Sequence, residues 1–225
     1  MKRTKLIDRI LPDYTNGEEV FNMVSHIVGG GLGIVYLVIC VVVSALHHNV
    51  WGVVSSAVYG ASVILLFTMS SVYHGVKQKH AMAKKVLQVI DHCTIYLMIA
   101  GTYTPIMLSL LRRTNPAIAW TVFGVVWGIA ALAITLTAID LKKYNVFSMI
   151  CYIGMGWCII LTAVPVYKAL TFWGFMWLLG GGIMYTIGAV LFGIGAKVRY
   201  MHSVFHIFVV LASLMHFICI LFYVI

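Results

Sequence analysis

The sequence predicts an all-α protein: a bundle of seven transmembrane helices with the N-terminus cytoplasmic and the C-terminus outside. Three observations carry this prediction. Of 225 residues, 62% are hydrophobic and only 9% are charged, with a mean hydropathy of +1.02, a composition that excludes an ordinary soluble domain. The apolar residues gather into seven runs, each near the roughly 20 residues that a helix needs to cross a bilayer. The basic residues fall very unevenly between the two ends of those runs, and that bias orients a chain in its membrane.

Residues 1–17 form a polar N-terminal segment, and 18–225 form the transmembrane domain. Within the first segment Leu6-Ile7-Asp8-Arg9-Ile10-Leu11 mixes apolar and charged residues, which predicts a short interfacial helix. No small-x-small cleavage site follows the first apolar run, so the start of the chain does not read as a cleaved signal peptide. The spans are placed at 19–46, 51–74, 86–111, 117–139, 146–167, 172–195 and 201–225. Between them lie breakers such as His47-His48-Asn49, Thr114-Asn115-Pro116 and Lys142-Lys143-Tyr144-Asn145. No stretch is left for a separate soluble domain.

With alternating spans, Lys2, Arg3, Lys5, Arg9, Lys77, Lys79, Lys84, Lys85, Lys142, Lys143, Lys197 and Arg199 share one side, against Arg112, Arg113 and Lys168 on the other. Twelve against three places the N-terminus in the cytoplasm and makes the chain a multi-pass protein of the cell membrane. The formal charge of +9 therefore reads as topology, with no nucleic-acid partner. Cys40, Cys93, Cys151, Cys158 and Cys219 all sit in apolar runs and form no CxxC pair, so they read as small buried hydrophobes. Gly29-Gly30-Gly31-x-Gly33 and Gly180-Gly181-Gly182 lie within spans and predict close helix packing. Pro105 and Pro165 predict kinks in the third and fifth spans.

Polar residues inside spans carry the functional reading, because each is costly in hydrocarbon unless it faces a partner or a watery cavity. His26, His74, Asp91, His92, His202 and His206 all fall near the cytoplasmic ends of the first, second, third and seventh spans. His202 and His206 stand one helical turn apart on one face and can share an ion. Alone, that spacing is common, and two helix-end histidines beside polar neighbours is the simpler account. With His74 added, three neutral imidazoles and a water make a tetrahedral zinc site of the open, catalytic kind, so His74, His202 and His206 are the predicted metal ligands.

Asp91 is the carboxylate set well inside a span, whereas Asp140 sits beside Lys142 and Lys143 at a helix end and reads as solvated. Asp91 can ligate the metal or, as favoured, accept a proton from the water as general base. Ser70, one turn before His74, can hold an imidazole, a substrate oxyanion or the water; bonding back to its own helix is the competing account. Glu18, Asn22 and His26 form a four-residue-spaced stripe at the cytoplasmic mouth, read as a second layer or gate beside the metal. His92 points away from Asp91 along the helix, and His216 lies too far along the last span to join the others.

Taken together, Glu18-x3-Asn22-x3-His26, Ser70-x3-His74, Asp91 and His202-x3-His206 resemble the hemolysin III-related family, which is similar to the adiponectin and progestin receptors. The resemblance covers essentially the whole chain. It implies seven helices, an intracellular N-terminus, and a zinc ion near the cytoplasmic face held by the residues matching His74, His202 and His206. It further implies that Asp91 and Ser70 lie beside the bound water. The family's receptors are linked to ceramidase activity, whereas this chain lacks their long N-terminal extension, so no hormone partner is implied. The expected function is that of an integral membrane Zn2+ protein hydrolysing a lipid amide or ester, with membrane lipids as partners. The alternative is a non-enzymatic sensor, transporter or cytolytic protein with a structural zinc.

Overall fold

A computed structural model describes residues 3–225; Met1 and Lys2, and the part of the N-terminal segment and charge bias that rests on them, lie outside the described residues. Those residues are helical without strands. The α-helices are α1 (Asn16–Leu46), α2 (Val50–Gly75), α3 (Ala81–Pro105), α4 (Pro116–Ile139), α5 (Asn145–Trp157), α6 (Ala163–Gly195) and α7 (Met201–Tyr223). Six stretches are long and apolar enough to cross a membrane, the fifth being the 51-residue stretch Asn145–Gly195, which spans α5 and α6.

The helix ends follow local chemistry. Thr15 caps α1 in a reciprocal box with Glu18, the Asn49 side chain accepts from the Gly52 amide to start α2, and Pro116 opens α4. Pro105 cannot donate an amide hydrogen bond, so the third stretch loosens there into a wider turn over Ile106–Leu110 and a tight one over Leu111–Arg113. The fifth stretch is interrupted twice, by a tight turn over Cys158–Thr162 just before Pro165, and by Thr171, whose φ of 63° and ψ of 178° leave the helix. Thr171 immediately precedes the start predicted for the sixth span.

The buried face of α1 is Glu18, Asn22, His26, Gly29, Gly33, Tyr36, Cys40 and Ser44, while Val20, Val24, Ile27, Val28, Val35 and Val38 are exposed. Polar inside and aliphatic outside is the arrangement a lipid solvent selects. It identifies a multi-pass membrane protein. Helix α1 packs on both α2 and α7, α2 on α3, and α6 on α7. Glycine permits the closest approaches: a Cβ at Gly60 would lie 2.7 Å from the Leu37 Cα, and one at Gly181 would overlap the His216 ring.

The N-terminal segment differs from the interfacial helix expected of it. Only Leu6–Asp8 is helical, a single tight turn, since six mixed residues cannot offset the cost of nucleating a helix. The segment instead lies across one end of the bundle. Arg9 hydrogen-bonds Gln88 Oε1 at 3.3 Å, Lys85 reaches the Ile7 carbonyl at 2.6 Å, and the Thr4 amide donates to Asp140 Oδ2 at 2.6 Å. Asp140 is consequently 3% exposed, not solvated as its lysine neighbours suggest; the covering segment and the Lys143 amide at 3.0 Å replace water.

Candidate metal centre

The end of the bundle covered by the N-terminal segment is also where the histidines meet. The last turn of α2 supplies His74 and the first two turns of α7 supply His202 and His206. All three are buried, and one ring nitrogen from each lies within 4.8 Å of the others. His202 Nε2 and His206 Nε2 are 3.1 Å apart. Tetrahedral ligands at zinc's bond lengths sit about 3.3 Å from one another, so this cluster is close to the size a metal ion requires.

The unpaired atoms support the fit. His74 Nδ1 is 2.7 Å from Glu19 Oε2, which assigns the Nδ1 proton to the carboxylate side and leaves Nε2 as a lone-pair donor; that Nε2 is buried and has no protein partner. A carboxylate behind a histidine is how metal ligands are commonly oriented. Glu19 is in turn held by Lys84, whose Nζ lies 2.7 Å from Oε1 and also donates to the Val76 carbonyl at 2.8 Å. The three histidines can hold a metal ion.

Aromatic rings wall the cluster. His26 stacks on His206 with centroids 3.8 Å apart and meets Phe67 edge-on; neither of its nitrogens has a protein partner. Tyr14 stacks on His202 at 4.9 Å and tilts against His74 at 5.7 Å. Its phenol lies outside the spans, and burial pushes its pKa up, with Glu19, Asp91 and Glu18 adding in the same direction, so Tyr14 stays neutral.

Asp91 and Ser70 line the same cavity as His26, His202 and His206. His92 lines it too, with Nδ1 2.8 Å from the Gln88 carbonyl and 3.7 Å from Asp91 Oδ2. The Glu18–Asn22–His26 stripe divides by role. Glu18 faces the mouth, accepting from the Thr15 amide at 2.8 Å and the Tyr200 amide at 2.6 Å, and so braces the turn into α7. Asn22 is fully buried with neither amide atom partnered. His216 lines the same cavity but does not join the imidazole cluster, its Nε2 donating to the Leu178 carbonyl at 3.2 Å.

A profile described as "Haemolysin-III related" matches residues 14–217. The chain belongs to the haemolysin-III related family. It is 38% identical over 207 residues to "Hemolysin-3" of Bacillus cereus, covering 92% of each chain. It is 35% identical over 210 residues to "Hemolysin-3 homolog" of Bacillus subtilis (strain 168), covering 93% of this chain and 96% of that one. More distantly, it is 29% identical over 192 residues to the human "Monocyte to macrophage differentiation factor", covering 80% of this chain and 76% of the other.

In this haemolysin-III chain, three residues at the site escape a reading by spacing. Glu19 is adjacent to the more regular stripe residue Glu18, Lys84 resembles the other orienting cations, and Tyr14 belongs to a segment without periodicity. Lys84 falls before the third span as predicted from 86, and only the structure puts it in the first turn of α3, where a buried cation needs a carboxylate partner.

Proposed function

We propose that His74, His202 and His206 hold one zinc ion and that the protein hydrolyses a lipid amide or ester within the membrane, as a ceramidase does. The observation that carries this reading is the convergence of three buried imidazoles, two of which, His202 and His206, line with Asp91 a cavity that continues into the apolar interior. When bound, zinc supplies Lewis acidity that polarises a carbonyl and makes water more acidic. Asp91 accepts the proton of the attacking water and returns it to the leaving group. Ser70 steadies the water or the substrate oxygen, and Glu19 fixes the ring of His74. Met98, Ile99, Ile106 and Leu178 give the apolar part of a lipid a dry wall.

The orientation belongs to the same proposal. A single helix of 51 residues would be about 77 Å long against a hydrocarbon core of about 30 Å. The break at Thr171 therefore supports two spans in that stretch and seven in all. Twelve basic residues on the site's side support a cytoplasmic N-terminus in the cell membrane, with the centre near that face.

A second reading has its own support. Helices α2 and α7 each pack on α1 and meet one another through the histidines and a 3.4 Å bond from the Tyr59 hydroxyl to the Ser213 carbonyl. A metal there would staple them in a sensor, transporter or cytolytic protein without turnover. Purified protein incubated with ceramides, other lipid amides and lipid esters separates the two. Hydrolysis that falls about 100-fold or more in Asp91→Asn, with the metal retained, supports the enzyme. No cleavage of any of these lipids by metal-loaded unaltered protein sinks it.

A further inference from the structure

Two cavities meet at the candidate centre. The first, about 180 Å³, is the apolar chamber within the bundle. The second, about 760 Å³, is a vestibule at the end of the bundle, lined by Arg9, Lys142, Lys197 and Arg199. Asp91, His92 and His202 line both, so the site forms the seam between an apolar space and a basic one.

Arg9 is the vestibule cation whose burial membrane orientation does not explain. An orienting charge works in solvent, yet Arg9 is 8% exposed. Its guanidinium carries five donors, but its one side-chain bond among the described residues is the 3.3 Å contact with the neutral Gln88. Among the described residues no carboxylate lies within 4.0 Å of it. Asp140 acts on it from beyond contact and is already taken up by the Thr4 and Lys143 amides. Of the vestibule's carboxylates, Glu18 is held by Thr15 and Tyr200, Asp91 sits at the seam, and Asp13 is exposed at the rim. A sequestered guanidinium without a counter-ion in contact is costly, and its planar fork of donors matches an oxyanion.

We infer that the vestibule binds the oxyanion headgroup of an amphiphile whose apolar part enters the chamber, with Arg9 as the anchor and Lys142 as a second cation. Such a ligand places the bond between head and tail at Asp91 and His202. The inference concerns binding; it rests on the proposed hydrolase only in naming this amphiphile as the substrate.

Retention of lipid by the full-length protein, read by native mass spectrometry, tests it. Phosphatidylglycerol and phosphatidylcholine with identical acyl chains are compared on unaltered protein and on the Arg9→Gln, Arg9→Lys and Lys142→Gln variants. Unaltered protein is expected to prefer phosphatidylglycerol by about tenfold, the scale of one charge-assisted hydrogen bond. Arg9→Gln brings the ratio close to one, Lys142→Gln lowers it, and Arg9→Lys keeps part of it. Inorganic phosphate is the competing arm: displacement of the lipid at millimolar phosphate shows that the oxyanion subsite also accepts an ion from solution, whereas no displacement assigns it to the lipid headgroup. Equal retention of the two lipids by unaltered protein overturns the inference, as does a preference that survives Arg9→Gln and Lys142→Gln together. Should Arg9→Gln fail to fold, the unaltered ratio and Lys142→Gln still decide. Because retention is read without turnover, a lipid that is held but never cleaved leaves the subsite in place and removes only its role as the substrate; the hydrolase itself is decided by the lipid panel.

Discussion

Oε2 of Glu19, in the first turn of α1, lies 2.7 Å from Nδ1 of His74, in the last turn of α2. The other oxygen of the same carboxylate lies 2.7 Å from Nζ of Lys84, in the first turn of α3. One carboxylate therefore ties three helices together at the membrane end where the histidines converge. It also sets the tautomer that leaves the buried, unpartnered His74 Nε2 with its lone pair for a metal.

The first prediction concerns that carboxylate. Glu19→Gln keeps an acceptor oxygen but loses the charge that makes the His74 ring a better donor. Metal affinity should fall about 10- to 100-fold, measured by competition with a chelator of known affinity. An affinity equal to that of the unaltered protein would show that Glu19 serves Lys84 and the fold alone.

Helix packing gives a second prediction. A Cβ at Gly60 would come within 2.7 Å of the Leu37 Cα, a backbone atom that cannot swing aside. Gly60→Ala should destabilise the protein by about 1–3 kcal/mol, the usual cost of overpacking, seen as a lower unfolding midpoint in detergent. Gly31→Ala, which meets nothing within 4 Å, is the control and should leave the midpoint in place.

The third prediction is a pH dependence at the capped end of the bundle. Burial pushes the pKa of Asp140 up, but hydrogen bonds from the Lys143 and Thr4 amides outweigh it and hold the carboxyl below its ordinary value. On acidification the unfolded chain takes up the proton first. The stabilisation is therefore present above about pH 4 and is lost as pH falls through the lower folded value. Asp140→Asn should flatten the acid side of a plot of unfolding midpoint against pH below about pH 4. An unchanged slope would remove Asp140 from the account.

The sequence and the structure agree most closely where a period or a depth decides the outcome. The apolar runs forecast the helices because hydrophobic length is nearly sufficient in a bilayer, and the four-residue spacing of His202 and His206 maps directly onto one helical face. His74 could be added because alternating topology brings the end of one span beside the start of another. Other features depend on contacts between segments with no periodic relation. Glu18 and Glu19 are neighbours about 100° apart on α1, and spacing favoured Glu18, whereas packing turns Glu19 toward α2. Lys84 and Asp140 carry the same letters as solvated charges, but Glu19 buries the first and the N-terminal segment the second. The Thr171 break, by contrast, falls in the short connection left between the spans at 146–167 and 172–195, where the fall in hydrophobicity marks it.

Whether three histidines from two helices hold one metal ion is decided by the metal content of the purified protein, read by mass spectrometry. About one zinc per chain in unaltered protein, lost in the His202→Ala, His206→Ala double variant while its helical content is retained, is the expected result. Unaltered protein purified without chelators that carries no transition metal, or a double variant that keeps its zinc, would show that these histidines hold no metal.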